Sequence, residues 1–203
     1  MKSNIGNFLF YINKPKKWIS LAIIFISPFF VLTACSQNKI ITWREEVKLV
    51  NGTIITAECS AEYKNVYDGN SIGWLFQHEK IKAIFPSLNK EIVWSGSIVP
   101  LAIDINKNGE IYLVATVQTS QGEIEYPITH GIYVAFKYEK NGLWVRIPIE
   151  SVPDEFKPNL LIDPVSTFTR LNYSTGQTIE LTTKEKLNSD PRFNRDYRSW
   201  APK

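Results

Sequence analysis

Beyond residue 42 apolar and polar side chains alternate in short runs broken by turn residues. That is the period of half-buried strands rather than of amphipathic helices. The run TWREEVKLVNGTIITAECSAEY, residues 42–63, sets Asn51-Gly52 between two such strands, a hairpin signal. Two registers compete. A two-residue turn pairs Leu49 with Ile54 but sets Lys48 against Ile55 and Arg44 against Cys59. A three-residue loop, Val50-Asn51-Gly52, gives the glycine the left-handed bulge position. It pairs Val47 with Ile55, Glu45 with Ala57 and Trp43 with Cys59. Because a one-residue slip moves every side chain to the other face, the second register is expected. It turns the Cys59 thiol inward, as a buried and inert group.

The run IYVAFKYEKNGLWVRIPI, residues 132–149, reads as a second hairpin. With Glu139-Lys140-Asn141-Gly142 as its loop, Tyr138 faces Leu143, Phe136 faces Val145, Val134 faces Ile147 and Ile132 faces Ile149. All these apolar side chains would then share one face and form the centre of the core, with Tyr133, Lys137, Trp144 and Arg146 on the other. KIKAIFP, KEIVWSG, IVPLAIDI and EIYLVATVQ supply further strands between the hairpins. In the last two, Ile103, Ile105, Ile111, Leu113 and Val117 leave little alternation, the mark of strands covered on both sides. After Pro148 the pattern weakens. SVPDEF fits a short helical turn with Ser151 as cap, and TTKEKLN a second, capped by Thr182 or Thr183. The fold class expected is mainly β, an antiparallel sandwich or partly open barrel of hairpins, with one or two short helices toward the C-terminus.

The first residues follow another pattern. Ile19 to Leu32 is apolar except for Ser20, Ser27 and Pro28, shorter than the roughly 20 residues a membrane-spanning helix needs. Lys2, Lys14, Lys16 and Lys17 precede it or lie at its edge, with no acidic residue in the first 34. A basic head and a short apolar run are the layout of a secretory signal peptide. The run closes on Leu32-Thr33-Ala34-Cys35, which resembles the lipobox of bacterial lipoproteins. That resemblance implies cleavage before Cys35, lipid attachment to its thiol and acylation (palmitate-type chains) of the new amino end. Two or three chains hold a protein on a membrane where one holds only marginally. Ser36 and Gln37 follow in place of the aspartate that retains such proteins in the inner membrane, which favours the outer membrane. The organisation expected is residues 1–34 as cleaved signal peptide, 35–41 as lipidated tether and 42–203 as one β-rich periplasmic domain.

Cleavage changes the charge balance. The chain has 23 basic and 20 acidic residues, and the first 34 residues hold four of the lysines, so the remainder carries 19 basic and 20 acidic, net −1. No electrostatic case for nucleic acid remains. With Cys35 lipidated, Cys59 stands alone, so neither an intramolecular disulfide nor a cysteine metal cluster can form.

Candidate chemistry is sparse. DINKNGE, residues 104–110, offers Asp104, Asn106, Asn108 and Gly109 in the spacing of the first half of a calcium loop, but the twelfth position is Ala115 and Glu110 opens a strand. A hairpin turn on Asn108-Gly109 accounts for the same residues. Of the two histidines, His78 and His130, the latter lies in the loop PITHG and is the acid–base candidate, with no Gly-x-Ser-x-Gly elbow to supply a nucleophile. Arg192, Phe193, Arg195, Tyr197, Arg198 and Trp200 alternate arginine with aromatics in a tail expected to pack on its own sheet.

TWREEVKLVNGTII, YVAFKYEKNGLWVRIPIESVP and TTKEKLNSDPRF together resemble a group of uncharacterised Gram-negative proteins, several of them lipoproteins. The resemblance implies a coherent domain and no activity or catalytic residues. The function expected is a binding or structural role, non-catalytic and without cofactor, at the cell envelope. The chain would be anchored by acyl chains on Cys35, facing the periplasm, with an envelope protein or cell-wall component as partner. The alternatives are an envelope hydrolase using His130 and a calcium-stabilised binding module using the 104–110 loop.

Overall fold

Two antiparallel meanders, joined by the short link Ser97-Ile98, stack face to face in the computed structural model, which describes residues 38–67, 72–128, 132–162, 164–170 and 172–189. The first meander is β1 (Asn38–Lys48), β2 (Ile54–Tyr67), β3 (Ile72–Phe85) and β4 (Lys90–Gly96). The second is β5 (Val99–Ile105), β6 (Ile111–Thr116), β7 (Tyr133–Tyr138) and β8 (Trp144–Ile147). A two-residue strand, β9 (Thr178–Ile179), lies parallel to β1, so the sheets read β4-β3-β2-β1-β9 and β5-β6-β7-β8. This is a β sandwich, with no closed barrel among the described residues. Three short helices complete it: α1 (Ser120–Glu125), α2 (Pro164–Arg170) and α3 (Leu181–Ser189). No helix of the described residues is long and apolar enough to cross a membrane.

The first hairpin has the three-residue register: Val47 pairs with Ile55, Glu45 with Ala57 and Trp43 with Cys59. Gly52 takes φ +84° at the bulge position. Strand β1 begins at Asn38, inside the segment read from sequence as tether, and Ile41 is buried in the core.

The second hairpin differs from expectation by one residue. Tyr138 pairs with Trp144, Lys137 with Val145, Phe136 with Arg146 and Ala135 with Ile147. The loop is Lys140-Asn141-Gly142, closed by the Glu139 N–H donating to the Leu143 carbonyl at 2.8 Å, with Gly142 at φ +88°. A glycine in the left-handed region ends a three-residue loop here as it does at Gly52, so the four-residue loop is wrong and the faces exchange. Trp144 packs toward the core, while Ile132, Leu143 and Val145 are exposed. This hairpin therefore forms one edge of the smaller sheet; the fully buried strands are β5 and β6.

Within that smaller sheet both faces of β5 and β6 are covered, as their unbroken apolar runs imply. Ile103, Leu113 and Phe136 face the larger sheet, opposite Trp43, Ile81 and Ile92. On the other side Leu101, Tyr112 and Val114 lie beneath Val152, Phe156 and Ile162. The helical pieces depart from expectation in their caps. SVPDEF holds a single turn, Phe156 N–H to Pro153 carbonyl at 3.0 Å, following a 3-10 turn at Ile149–Ser151, so Ser151 is not a cap. In α3, Thr182 and Thr183 lie inside the first turn, and the Glu46 carboxylate takes the Leu181 N–H at 2.9 Å. A carboxylate there satisfies a free amide and opposes the helix dipole.

Candidate functional site

Two polar assemblies stand out, one inside the sandwich and one on its surface. The inner one starts from Glu45, an inward-facing position of β1 that is 1% exposed. One carboxylate oxygen accepts the Trp43 indole N–H at 3.0 Å and the Cys59 thiol at 3.6 Å; the other accepts the Leu161 amide at 2.9 Å and lies 3.1 Å from Lys184 Nζ. Lys184 reaches it from α3 and also donates to the carbonyls of Glu46 and Asn159. A buried ion pair earns its place only when its remaining hydrogen-bonding capacity is filled, and here it is. The pair pins α3 and the 159–161 segment to β1, a structural role.

Glu79 sits in the same interior, between Ala61 and Gly96 across the strands. It is 3% exposed, and its Oε2 finds no hydrogen-bond partner among the described residues. Burial first, and the Glu45 carboxylate second, hold its carboxyl well above the ordinary range. Burial, then Glu45 and Glu79, likewise pushes the Cys59 thiol up. Cys59 is thus buried and poorly ionised, the opposite of a reactive cysteine.

The surface assembly is the outer face of the β1–β4 sheet. Strand registers align Arg44, Glu58 and Lys82 in one row. Arg44 is 3.6 Å from Glu58, Lys82 3.8 Å from Glu58, and Glu91 on β4 approaches Lys82 at 3.0 Å. The neighbouring row is Thr42, Ser60, Lys80 and Ser95. His78, in the next row opposite Glu62, brings Nε2 to 3.3 Å from Ser95 Oγ. A shallow trough of about 370 Å³ runs over Thr42, Arg44, Ser60, Lys80 and Lys82. The same face exposes Ile40, Ile54, Ile84 and Val93 to 61%, 52%, 54% and 40%. Exposed ion pairs contribute about 0–1 kcal/mol each to stability, so the alternating charges do little for the fold.

The residues singled out from sequence are dispersed. In the 104–110 loop the Asn106 side chain accepts the amides of Asn108 and Glu110 at 2.9 and 3.0 Å, and Gly109 takes φ +80°. Asp104 turns away from that loop: its carboxylate accepts the Val50 amide at 3.1 Å and the Ile105 amide at 2.8 Å, tying the β1–β2 turn to β5. Burial pushes its carboxyl up. Asn108 is exposed. Glu110 instead meets Lys137 Nζ at 2.7 Å, Asn106 at 2.7 Å and the Tyr112 hydroxyl at 3.1 Å, which hold its carboxyl down at about 2. The three calcium-loop candidates are therefore not brought to a common point. Among the described residues no three His, Cys, Asp or Glu side chains gather as a metal ion would need. A cleft of about 600 Å³ opens between the β1–β2 turn, residues 155–159 and α3. Of the charged residues that line it, the buried Asp104 and Lys184 are committed to the bonds given above, and Lys48, Glu155, Lys157 and Glu185 lie around them. Cys35, His130 and the Arg-aromatic tail from Arg192 to Trp200 lie outside the described residues.

Compared with protein-family models, curated proteins and solved structures, the chain matches none of them.

Proposed function

We propose that this chain is a lipid-anchored cell-envelope protein, held by acyl groups on Cys35 and facing the periplasm, with the outer membrane favoured over the inner. Its role is binding or structural, and its docking surface is the outer face of the β1–β4 sheet. The observation that carries the surface assignment is an asymmetry. In the smaller sheet β5 and β6 are covered on both faces, whereas the larger sheet buries one face and, among the described residues, leaves the other open with branched apolar side chains among its charges. Aliphatic groups interleaved with charged rows suit reversible contact with a protein surface. The lipid assignment rests on the sequence Leu32-Thr33-Ala34-Cys35 behind a short apolar run.

A photo-crosslinking side chain in place of Ser60, at the middle of the open face, tests the surface in intact cells. A discrete adduct from this position, absent when the same group replaces Glu150 beyond the smaller sheet, is expected. No adduct from Ser60, or equal adducts from both positions, contradicts the reading.

A further inference from the structure

The charges on the open face follow an order across the strands: Arg44 on β1, Glu58 on β2 and Lys82 on β3 share one row, and Glu91 on β4, in the next row beside Ile84, pairs diagonally with Lys82, giving plus, minus, plus, minus. Read from the other side, the order is minus, plus, minus, plus. A face with this property is complementary to itself. We propose that the partner of this face is a second copy of the chain, docked across a two-fold axis that runs parallel to the strands midway between β2 and β3. This rests on the docking surface proposed above and names its occupant.

The symmetry follows from the geometry of two sheets laid face to face. Their two-fold axis must lie in the plane between them, because the rotation has to turn one face over onto the other. An axis perpendicular to the strands would set every strand on its own copy, so Glu58 on β2 could not lie over Lys82 on β3, and an axis through their row would set Glu58 against its own copy. An axis along the strands exchanges β2 with β3 and β1 with β4. Glu58 then stands opposite the partner's Lys82, Lys82 opposite the partner's Glu58, and Arg44 within reach of the partner's Glu91. The residue directly opposite the partner's Glu91 is Glu46, whose carboxylate is turned to the Leu181 amide, leaving Glu91 to reach Arg44 in the adjoining row.

The apolar side chains obey the same exchange. Ile84 of each copy lies over the Ile54–Thr56 stretch of the other, so two isoleucines that are 52% and 54% exposed in one chain are covered by their own equivalents. Val93, 40% exposed, meets the aliphatic stem of the partner's Arg44. The four charged side chains are themselves 41–60% exposed, free to pair across as well as along the sheet. Four strands at about 4.8 Å spacing give a patch about 19 Å wide. Between the lengths of β4 and β2 it covers roughly 600 Å² in projection, before side-chain relief is added, against about 800 Å² per partner in a standard interface.

The full chain, extracted in detergent or reconstituted in lipid discs, is examined by analytical ultracentrifugation, alone and as mixtures of charge variants. Glu58→Lys and Lys82→Glu each place like charges against each other in a pair of identical copies. Each variant alone is expected to weaken self-association about ten-fold or more. Mixed one to one, they restore opposite charges at both contacts, and association is expected to return as a heterodimer. Both positions are exposed, and unchanged melting temperatures establish that the variants fold. Arg44→Glu and Glu91→Lys form a second such pair. A parent chain that stays monomeric overturns the proposal. So does a dimer indifferent to the single reversals, or a mixture that fails to recover. The Ser60 crosslink separates the two readings: an adduct of two copies is expected. An adduct with a different protein leaves the docking surface standing and removes the second copy, and no adduct removes the surface.

Discussion

Glu79 is the point at which one substitution probes the polar interior. Burial and the Glu45 carboxylate raise its carboxyl well above the ordinary range in the fold, whereas in the unfolded chain it ionises as an ordinary glutamate. Between the unfolded and the raised folded pKa the folded state thus keeps a proton that the unfolded state releases. The stability Glu79 contributes is complete below the ordinary glutamate pKa and is lost as pH rises toward the raised folded value. Within that window one retained proton costs about 1.4 kcal/mol for each pH unit. Glu79→Gln keeps the shape and cannot ionise. Its amide adds a pH-independent penalty of about 1–3 kcal/mol if a donor goes unsatisfied, so the slope rather than the offset carries the test. Urea unfolding of parent and variant at half-unit steps from pH 5 to 8 gives the difference in stability. That difference is expected to shift in favour of the glutamine by about 1.4 kcal/mol per unit until the folded-state pKa is passed. Parallel curves, with a difference independent of pH, would refute the buried neutral carboxyl.

Lys184→Met leaves Glu45 charged and unpaired inside the sandwich and is expected to cost about 3–5 kcal/mol. Adding Glu45→Met should restore more than half of that in the denaturant midpoint, and additive losses would contradict the pairing. Gly122→Ala puts a methyl group 2.8 Å from the Ser97 carbonyl oxygen and 3.1 Å from Ile98 Cγ2. The helix gains up to about 1 kcal/mol from alanine, but backbone does not yield and overpacking costs about 1–3 kcal/mol. A lower melting temperature is therefore expected, and a higher one would show that α1 shifts freely.

The first hairpin was legible from sequence because its charges discriminate: only the three-residue loop sets Arg44 opposite Glu58 and Trp43 opposite Cys59. The second was not, because β7 and β8 carry apolar groups on both faces and a slip by one residue costs the pattern nothing. The turn chemistry carried the missing information. Asn51-Gly52, Asn108-Gly109 and Asn141-Gly142 all end three-residue loops with the glycine at φ between +80° and +88°. One turn type at all three sets the register of each hairpin. The covered β5 and β6 were readable from their unbroken apolar runs. Glu45 also left a signal: the favoured register pointed a carboxylate into the core between Trp43 and Val47, which requires a partner. Its partner Lys184 lies in a helix far along the chain, and pairing across that separation is set by tertiary packing, which local pattern does not encode. The open face was equally hidden, since alternation marks the polar side of a strand without saying whether another layer covers it.

The anchor is the claim on which location and role depend, and intact-mass spectrometry of the protein extracted from cell membranes tests it most directly. The expected species begins at Cys35 and carries diacylglyceryl and amide-linked acyl groups on that residue, and Cys35→Ser abolishes both cleavage and acylation. A mature chain with an unmodified Cys35, or a Cys35→Ser variant processed like the parent, would contradict the account.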